Sequence, residues 1–268
     1  MYGKGSGHVR ITQRYEHKYW LDTAKAYQVR SQILASGLEY DYYSQERPYF
    51  VRSLYFDTDT YHSFFENRGG FLNRVKLRIR SYSPVPGDPL SVELKTKTGN
   101  QSIKYSTFIP YDWYCAFMET KHFPHSDDPV LIEFERLVHL FALKPKVIIE
   151  YEREGLRSSR TSNLRITIDK AIRSAAAAEL YPKAPAFRVH YGKGEILEIK
   201  LSGRQPRWLS LCVQEQGLQW VANSKYAQSV GLCQPDVLVS STSPLRLPVG
   251  APAAAADTGL GTTRAADA

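Results

Sequence analysis

The chain has 268 residues, a formal charge of +8 and 43% hydrophobic residues. That is enough for a buried core in one large or two small domains, and the basic excess points to an anionic partner. Three widely spaced cysteines, Cys115, Cys212 and Cys233, exclude a disulfide framework and a Cys-x-x-Cys metal pair and read as free core thiols. The opening MYGKGSGHVR has no apolar signal-peptide core, and no run approaches the ~18 apolar residues of a membrane span. The expectation is a soluble, cytoplasmic protein.

Alternating segments predict strands near residues 10–19, 49–56, 73–82, 90–97, 101–109, 146–153, 163–170 and 195–202. Asp22 is placed to cap a helix that stops at Gly37. DWYCAFMET and DDPVLIEFERLVHLFAL read as helices, the second ending before Pro145. The stretch from Arg173 to Glu195 reads as a loop or lid. PRWLSLCVQEQGLQ reads as a helix with Pro206 in its first turn. NSKYAQSVGL reads as a last short helix capped by Asn223 or Ser224. The domain is expected over residues 8–234. Residues 235–268, rich in Ala, Gly, Pro, Ser and Thr, have too few large apolar side chains to offset chain entropy and read as a disordered tail.

RVKLRIRSY puts Arg74, Lys76, Arg78 and Arg80 on one face of a strand and Val75, Leu77 and Ile79 on the other. The pattern recurs. Arg14, Glu16 and Lys18 share a face, as do Glu93, Lys95 and Lys97. Arg165, Thr167 and Asp169 form another set, Glu198 and Lys200 another, and SIKYST adds Lys104. An open antiparallel sheet would simply show such faces to water. Same-face neighbours lie only ~7 Å apart, however, and in a confined site each like-charged pair costs roughly 2 kcal/mol. Closed on itself, the sheet makes an α+β fold: an eight-stranded antiparallel barrel with a charged lumen and helices packed outside. A basic tunnel with a few carboxylates suits a run of phosphates with a hard divalent ion. A nucleic-acid binder should instead show its cations on outer faces among stacking aromatics.

The segments RYEHKYWL, VRSLYFDT, KLRIRSY, VELKTK, SIKYST, IIEYER, LRITIDK, LEIKL and NSKY, in this order, resemble the VTC (vacuolar transporter chaperone) domain over roughly residues 8 to 232. This is a polyphosphate polymerase domain of the triphosphate tunnel metalloenzymes, related to the CYTH proteins and RNA triphosphatases. The resemblance implies an eight-stranded tunnel in which Lys18, Arg78, Arg80, Lys95, Lys104, Arg153, Arg165, Lys200, Ser224 and Lys225 bind phosphate. It places Tyr151 near the nucleotide and Glu198 on Mn²⁺ or Mg²⁺, with Glu16 and Glu93 as supporting carboxylates. The implied partners are ATP or another triphosphate, and polyphosphate. The implied reaction is transfer of the γ-phosphate of ATP to a growing polyphosphate chain. A triphosphatase or a non-catalytic polyphosphate-binding subunit are the alternatives. No nucleic acid is expected, and a membrane partner is left open.

Two departures stand out. The CYTH signature Glu-x-Glu-x-Lys has Arg14 in place of its first Glu, which favours the polymerase branch. Ala222 stands where a second family Lys precedes the Ser-Lys pair, removing one phosphate contact. Yeast-type members also carry an SPX domain and membrane helices, and neither is read in these residues.

Overall fold

The computed structural model describes residues 8–239, apart from 13–14, 46, 88, 100, 125–126, 159–162 and 223. The strands are β1 (His8–Thr12), β2 (Tyr15–Leu21), β3 (Leu38–Tyr40), β4 (Tyr49–Asp57), β5 (Arg74–Ser81), β6 (Leu90–Thr98), β7 (Gln101–Ile109), β8 (Lys144–Ser158), β9 (Leu164–Ala176), β10 (Arg188–Val189) and β11 (Glu195–Leu201). The helices are α1 (Thr23–Ala35), α2 (His62–Arg68), α3 (Tyr111–Thr120), α4 (Pro129–Leu140), α5 (Arg207–Glu215), α6 (Lys225–Cys233) and α7 (Asp236–Val239).

Among the described residues the strands form a single sheet in the order β1-β7-β6-β5-β4-β8-β9-β11-β2, with β3 added to β8 and β10 to β9. Every ladder is antiparallel. The two ends of the path, β1 and β2, are consecutive in the chain. The sheet therefore curls, and side chains from remote strands meet on its inner face: Lys95 Nζ on β6 lies 3.2 Å from Glu16 Oε2 on β2. The fold is α+β as expected, but the ladders do not describe a closed eight-stranded barrel. The expected first strand is divided between β1 and β2. The edge of β2 away from β11 takes a different neighbour, the bridge Tyr19–Trp220, with Val221 N–H donating to the Lys18 carbonyl at 2.8 Å.

The outward face is apolar and covered by helices. Leu77, Ile79, Val92 and Leu94 pack with Phe117 of α3 and Phe134 of α4. Tyr19, Ile166, Ile168, Leu197 and Ile199 pack with Val29 and Ile33 of α1 and Leu209 of α5. Each fully buried aliphatic side chain contributes about 1.5–3 kcal/mol. One end of the inner face is also apolar: Val51, Tyr55, Val147, Ile149, Tyr151, Ile172 and Ile196 enclose Phe64 of α2 and Tyr226 and Val230 of α6. These helices fill the end of the curl.

Local chemistry explains the helix ends. Asp22 accepts from Lys25 N–H at 2.8 Å and caps α1, as its position predicts. Pro206 is the N-cap of α5, one position before the expected first turn. The sequence reading omits α2, whose start is held from five residues upstream. Buried Asp57 accepts from the N–H groups of Ser63 and Phe64 at 3.0 and 3.1 Å, and the Tyr226 hydroxyl donates to the same carboxylate.

The lid expected over 173–195 is packed into the fold. β9 runs on to Ala176, Arg188 pairs with Ser174, and Leu180 N–H donates to the Tyr114 hydroxyl at 2.7 Å. Of the expected core thiols, Cys212 is buried, Cys233 is half-buried and Cys115 is exposed on α3. At the C-terminal end, α7 continues past the expected start of the tail, and Val237 packs against the α2–α6 cluster. Residues 240–268 lie outside the described residues.

Candidate functional site

Three carboxylates organise the polar part of the inner face. On β6, Glu93 is 1% exposed and faces Arg78 across the β5–β6 ladder. It accepts from Arg78 Nε at 2.7 Å and Lys104 Nζ at 2.7 Å, and Arg80 Nη1 lies 3.8 Å away. Burial raises the pKa of Glu93, but Arg78, Arg80 and Lys104 outweigh it and hold the carboxyl well below the usual range. The arginine forks are fixed further by hydroxyls: Arg78 donates to Tyr55 at 2.7 Å, and Arg80 to Ser53 at 3.0 Å and Tyr151 at 3.2 Å.

Asp169 on β9 is fully buried and receives both arms of Arg153, at 2.6 and 2.8 Å, and the Lys225 ammonium from the first turn of α6. Against the upward push of burial, Arg153 and Lys225 bring its pKa down to about 2. Tyr151 lies between these centres, with its ring 5.1 Å from the Arg153 guanidinium and 4.9 Å from Lys225 Nζ.

Glu198 on β11 stands between Lys18 of β2 and Thr167 of β9 in the ladders. Lys200 Nζ is 3.4 Å from it and Arg153 Nη2 3.7 Å. Burial works against the charge, but Lys200, Lys18, a hydrogen bond with Glu16 and Arg153 keep Glu198 well below the ordinary carboxylate range. Glu16 in turn contacts Lys95 and Lys200 at 3.2 and 3.8 Å.

Toward one end of this face cations outnumber carboxylates: Glu16 reaches Lys95, while Lys76 bonds a hydroxyl. Arg74 pairs in register with Lys97, and Lys76 with Lys95. Lys76 Nζ donates to Ser224 Oγ at 2.9 Å, and that hydroxyl also caps α6 through Ala227 N–H. Burial, then Arg74, Lys95 and Lys18, bring the Lys76 pKa down to about 7. Burial and the two neighbouring arginines likewise bring Lys104 to about 8, against the opposing pull of Glu93.

The inner face thus brings together Glu16, Lys18, Arg78, Arg80, Glu93, Lys95, Lys104, Tyr151, Arg153, Glu198, Lys200, Ser224 and Lys225. Arg165 shares the face through its register with Lys200, but it sits at the rim, half-exposed, and bonds Asp41 at 3.1 Å. Ala222 is exposed, and Arg14 lies outside the described residues. The sequence reading placed Lys76 and Asp169 on the right faces without giving either a role. Alternation shows a face, not which of its members share a partner. Asp41 and Ser53 lie in segments with no charged alternation to mark them.

The donor set can be weighed against a divalent ion. Among the described residues no group of three or more His, Cys, Asp or Glu side chains is arranged to hold a metal. Glu198 and Glu16, both beside Lys200, offer hard oxygens only. That fits Mg²⁺ or Mn²⁺, ions suited to one or two carboxylates with the rest of the sphere taken by phosphate oxygens and water. No described helix is long and apolar enough to cross a membrane.

No curated protein matches this chain in sequence. Among solved structures, bh2851 of Bacillus halodurans, named for adenylate cyclase, is similar at 14% identity with a TM-score of 0.50, covering 81% of this chain and 98% of its own. The mimivirus capping enzyme triphosphatase is similar at 8% identity and a TM-score of 0.33, covering 76% and 89%. The first likeness shows a shared fold. The family model described as the VTC domain matches residues 13–233. That span takes in the inner face, the carboxylates and the α6 cap, and this chain belongs to the VTC domain family.

Proposed function

We propose that this protein is a metal-dependent polyphosphate polymerase, transferring the γ-phosphoryl group of ATP to the end of a polyphosphate chain. Membership of the VTC domain family supports a triphosphate or polyphosphate substrate. The observation that carries the reading is the charge of the inner face. Lys18, Arg78, Arg80, Lys95, Lys104, Arg153, Lys200 and Lys225 converge on Glu16, Glu93, Asp169 and Glu198, and Lys76 adds a further cation beside them on Ser224. Cations so outnumbering their carboxylates in a confined space repel one another unless an anion joins them.

In this reading Arg78, Arg80, Lys95 and Lys104 grip the phosphates, the arginines as forks already oriented by Glu93, Tyr55 and Ser53. Arg153, held by Asp169, and Lys225 and Ser224 at the start of α6 bind from the opposite wall. Glu198, with Glu16, would hold Mn²⁺ or Mg²⁺, which supplies neutralisation of charge on the phosphate oxygens. An oxygen of the acceptor phosphate attacks the γ-phosphorus in line and ADP leaves. Such a transfer needs mainly positioning and charge stabilisation, which preorganised cations provide. Incubation with ATP and Mn²⁺, or with Mg²⁺, should give a ladder of polyphosphate with stoichiometric ADP. Free phosphate without a ladder would replace the polymerase by a triphosphatase. Binding of triphosphate with neither product would leave a binding subunit.

A further inference from the structure

Four tyrosines form a connected cluster at one end of the charged face. The Tyr42 and Tyr43 rings are 5.4 Å apart, Tyr43 and Tyr49 5.9 Å, and Tyr49 and Tyr82 6.2 Å. Tyr42 and Tyr43 are 75% and 70% exposed, and Tyr82 is 42% exposed. Folding leaves the Tyr42 and Tyr43 rings largely in water and Tyr49 half-buried, although aromatic side chains dominate the energetics of cores and interfaces.

The place of the cluster gives it chemistry. Tyr49 stands opposite Arg153 in the β4–β8 ladder, so the two side chains share the inner face. Arg153 and Arg165 both act electrostatically on the Tyr49 phenol, as does Asp41, the Arg165 partner. Tyr82 follows β5 directly, in line with Arg80, Arg78, Lys76 and Arg74 along one face. The rings therefore mark the end of the basic track opposite to Arg74 and Lys97. A flat ring outside and a row of phosphate-binding cations leading inward from it match the two halves of a nucleotide. Bases of any sequence stack on aromatic rings, and removing one such ring costs about five- to a hundredfold in affinity.

We propose that Tyr43, Tyr49 and Tyr82 are a nucleobase subsite, on which the base of a nucleoside triphosphate stacks while its phosphates enter past Arg153 and Arg80. The site rests on the proposed nucleotide-dependent reaction and adds its polarity. The base stays at the tyrosine end, the γ-phosphate lies deeper, and the product chain leaves toward Arg74 and Lys97.

The test compares two ligands that differ by the nucleoside: the β,γ-imido analogue of ATP and inorganic triphosphate, each titrated with Mg²⁺. Tyr43→Ala and Tyr82→Ala are surface changes. Each should weaken the ATP analogue about tenfold and leave inorganic triphosphate within about twofold. Tyr43→Phe and Tyr82→Phe keep the ring and should restore nucleotide binding. Equal losses for both ligands, or no loss for the nucleotide, would overturn the subsite while leaving the phosphate tunnel standing. If neither ligand binds the unaltered protein, the proposed function itself falls, and the subsite with it.

Discussion

Two stretches of the same inner face differ in how their charge is balanced. Around Glu93, Asp169 and Glu198 each cation has a carboxylate within reach, and the arginines are locked in place before any substrate arrives. Around Lys76 the neighbours are Arg74, Lys95 and Lys18, with Asp57 the opposing charge, and the ammonium donates to the Ser224 hydroxyl. The first stretch is organised internally. The second keeps an excess of cations, only partly offset by Glu16 beside Lys95 and by Asp57, that an added anion would relieve. A phosphate chain entering this face would be oriented by the one and would relieve the other.

The contrast can be broken first at its chemical centre. Glu198→Gln keeps the shape and removes the charge shared by Lys200 and Lys18. Turnover with Mn²⁺ or Mg²⁺ should fall by roughly 100-fold or more, with the fold retained by circular dichroism. Unchanged turnover would remove Glu198 from the metal site.

Glu93→Gln tests the balanced stretch. It strands Arg78, Arg80 and Lys104 in a buried place, and losing one member of a buried ion pair costs about 3–5 kcal/mol. Urea unfolding should show that loss, and inorganic triphosphate should restore more stability to this variant than to the parent. Equal stabilisation of both would mean that the ligand does not meet these arginines.

Lys76 tests the unbalanced stretch through pH. Its folded value of about 7 lies below the ordinary lysine value of 10.5. Between those values the unfolded chain holds a proton that the folded one lacks, so this group makes stability rise with pH above about 7. Lys76→Met should flatten that rise between pH 7 and 9. Bound triphosphate should re-protonate Lys76 and Lys104, so binding at pH 8 should take up protons, less so in Lys76→Met. Calorimetry in buffers of different ionisation enthalpy reads the uptake; none at all would place the anion elsewhere.

The smallest effect belongs to the apolar end. Ile196 is fully buried beside Asp169 in register. Ile196→Val should cost about 0.5–1.5 kcal/mol, and neither salt nor triphosphate should change that cost in urea titrations. A triphosphate-dependent cost would extend the binding face into the apolar cluster around α2 and α6.

Much of this was legible in the chain. Period-two alternation located every long strand, because half-buried strands must segregate charge from apolar groups. It also put Arg78, Arg80, Glu93, Lys95 and Glu198 on the correct side. Asp22 marked α1 because its cap is local. What escaped was non-local or too short for a period: the two- and three-residue strands β10 and β3, and α2, held by Asp57 from outside the helix. The bulge between Glu150 and Glu152 and the continuation of β8 and β9 also lay beyond a local pattern.

By itself, then, the sequence determined the long strands, their two faces and the basic character of one of them, since side-chain direction along a strand follows from backbone geometry. Only the tertiary structure decided which charges meet. Glu93 takes Arg78 and Lys104 from neighbouring strands, Asp169 takes Lys225 from a helix 56 residues away, and Trp220 occupies the edge on which a closed barrel would depend. Those choices rest on how the sheet curls and on where α6 enters it, and no local pattern of residues encodes either.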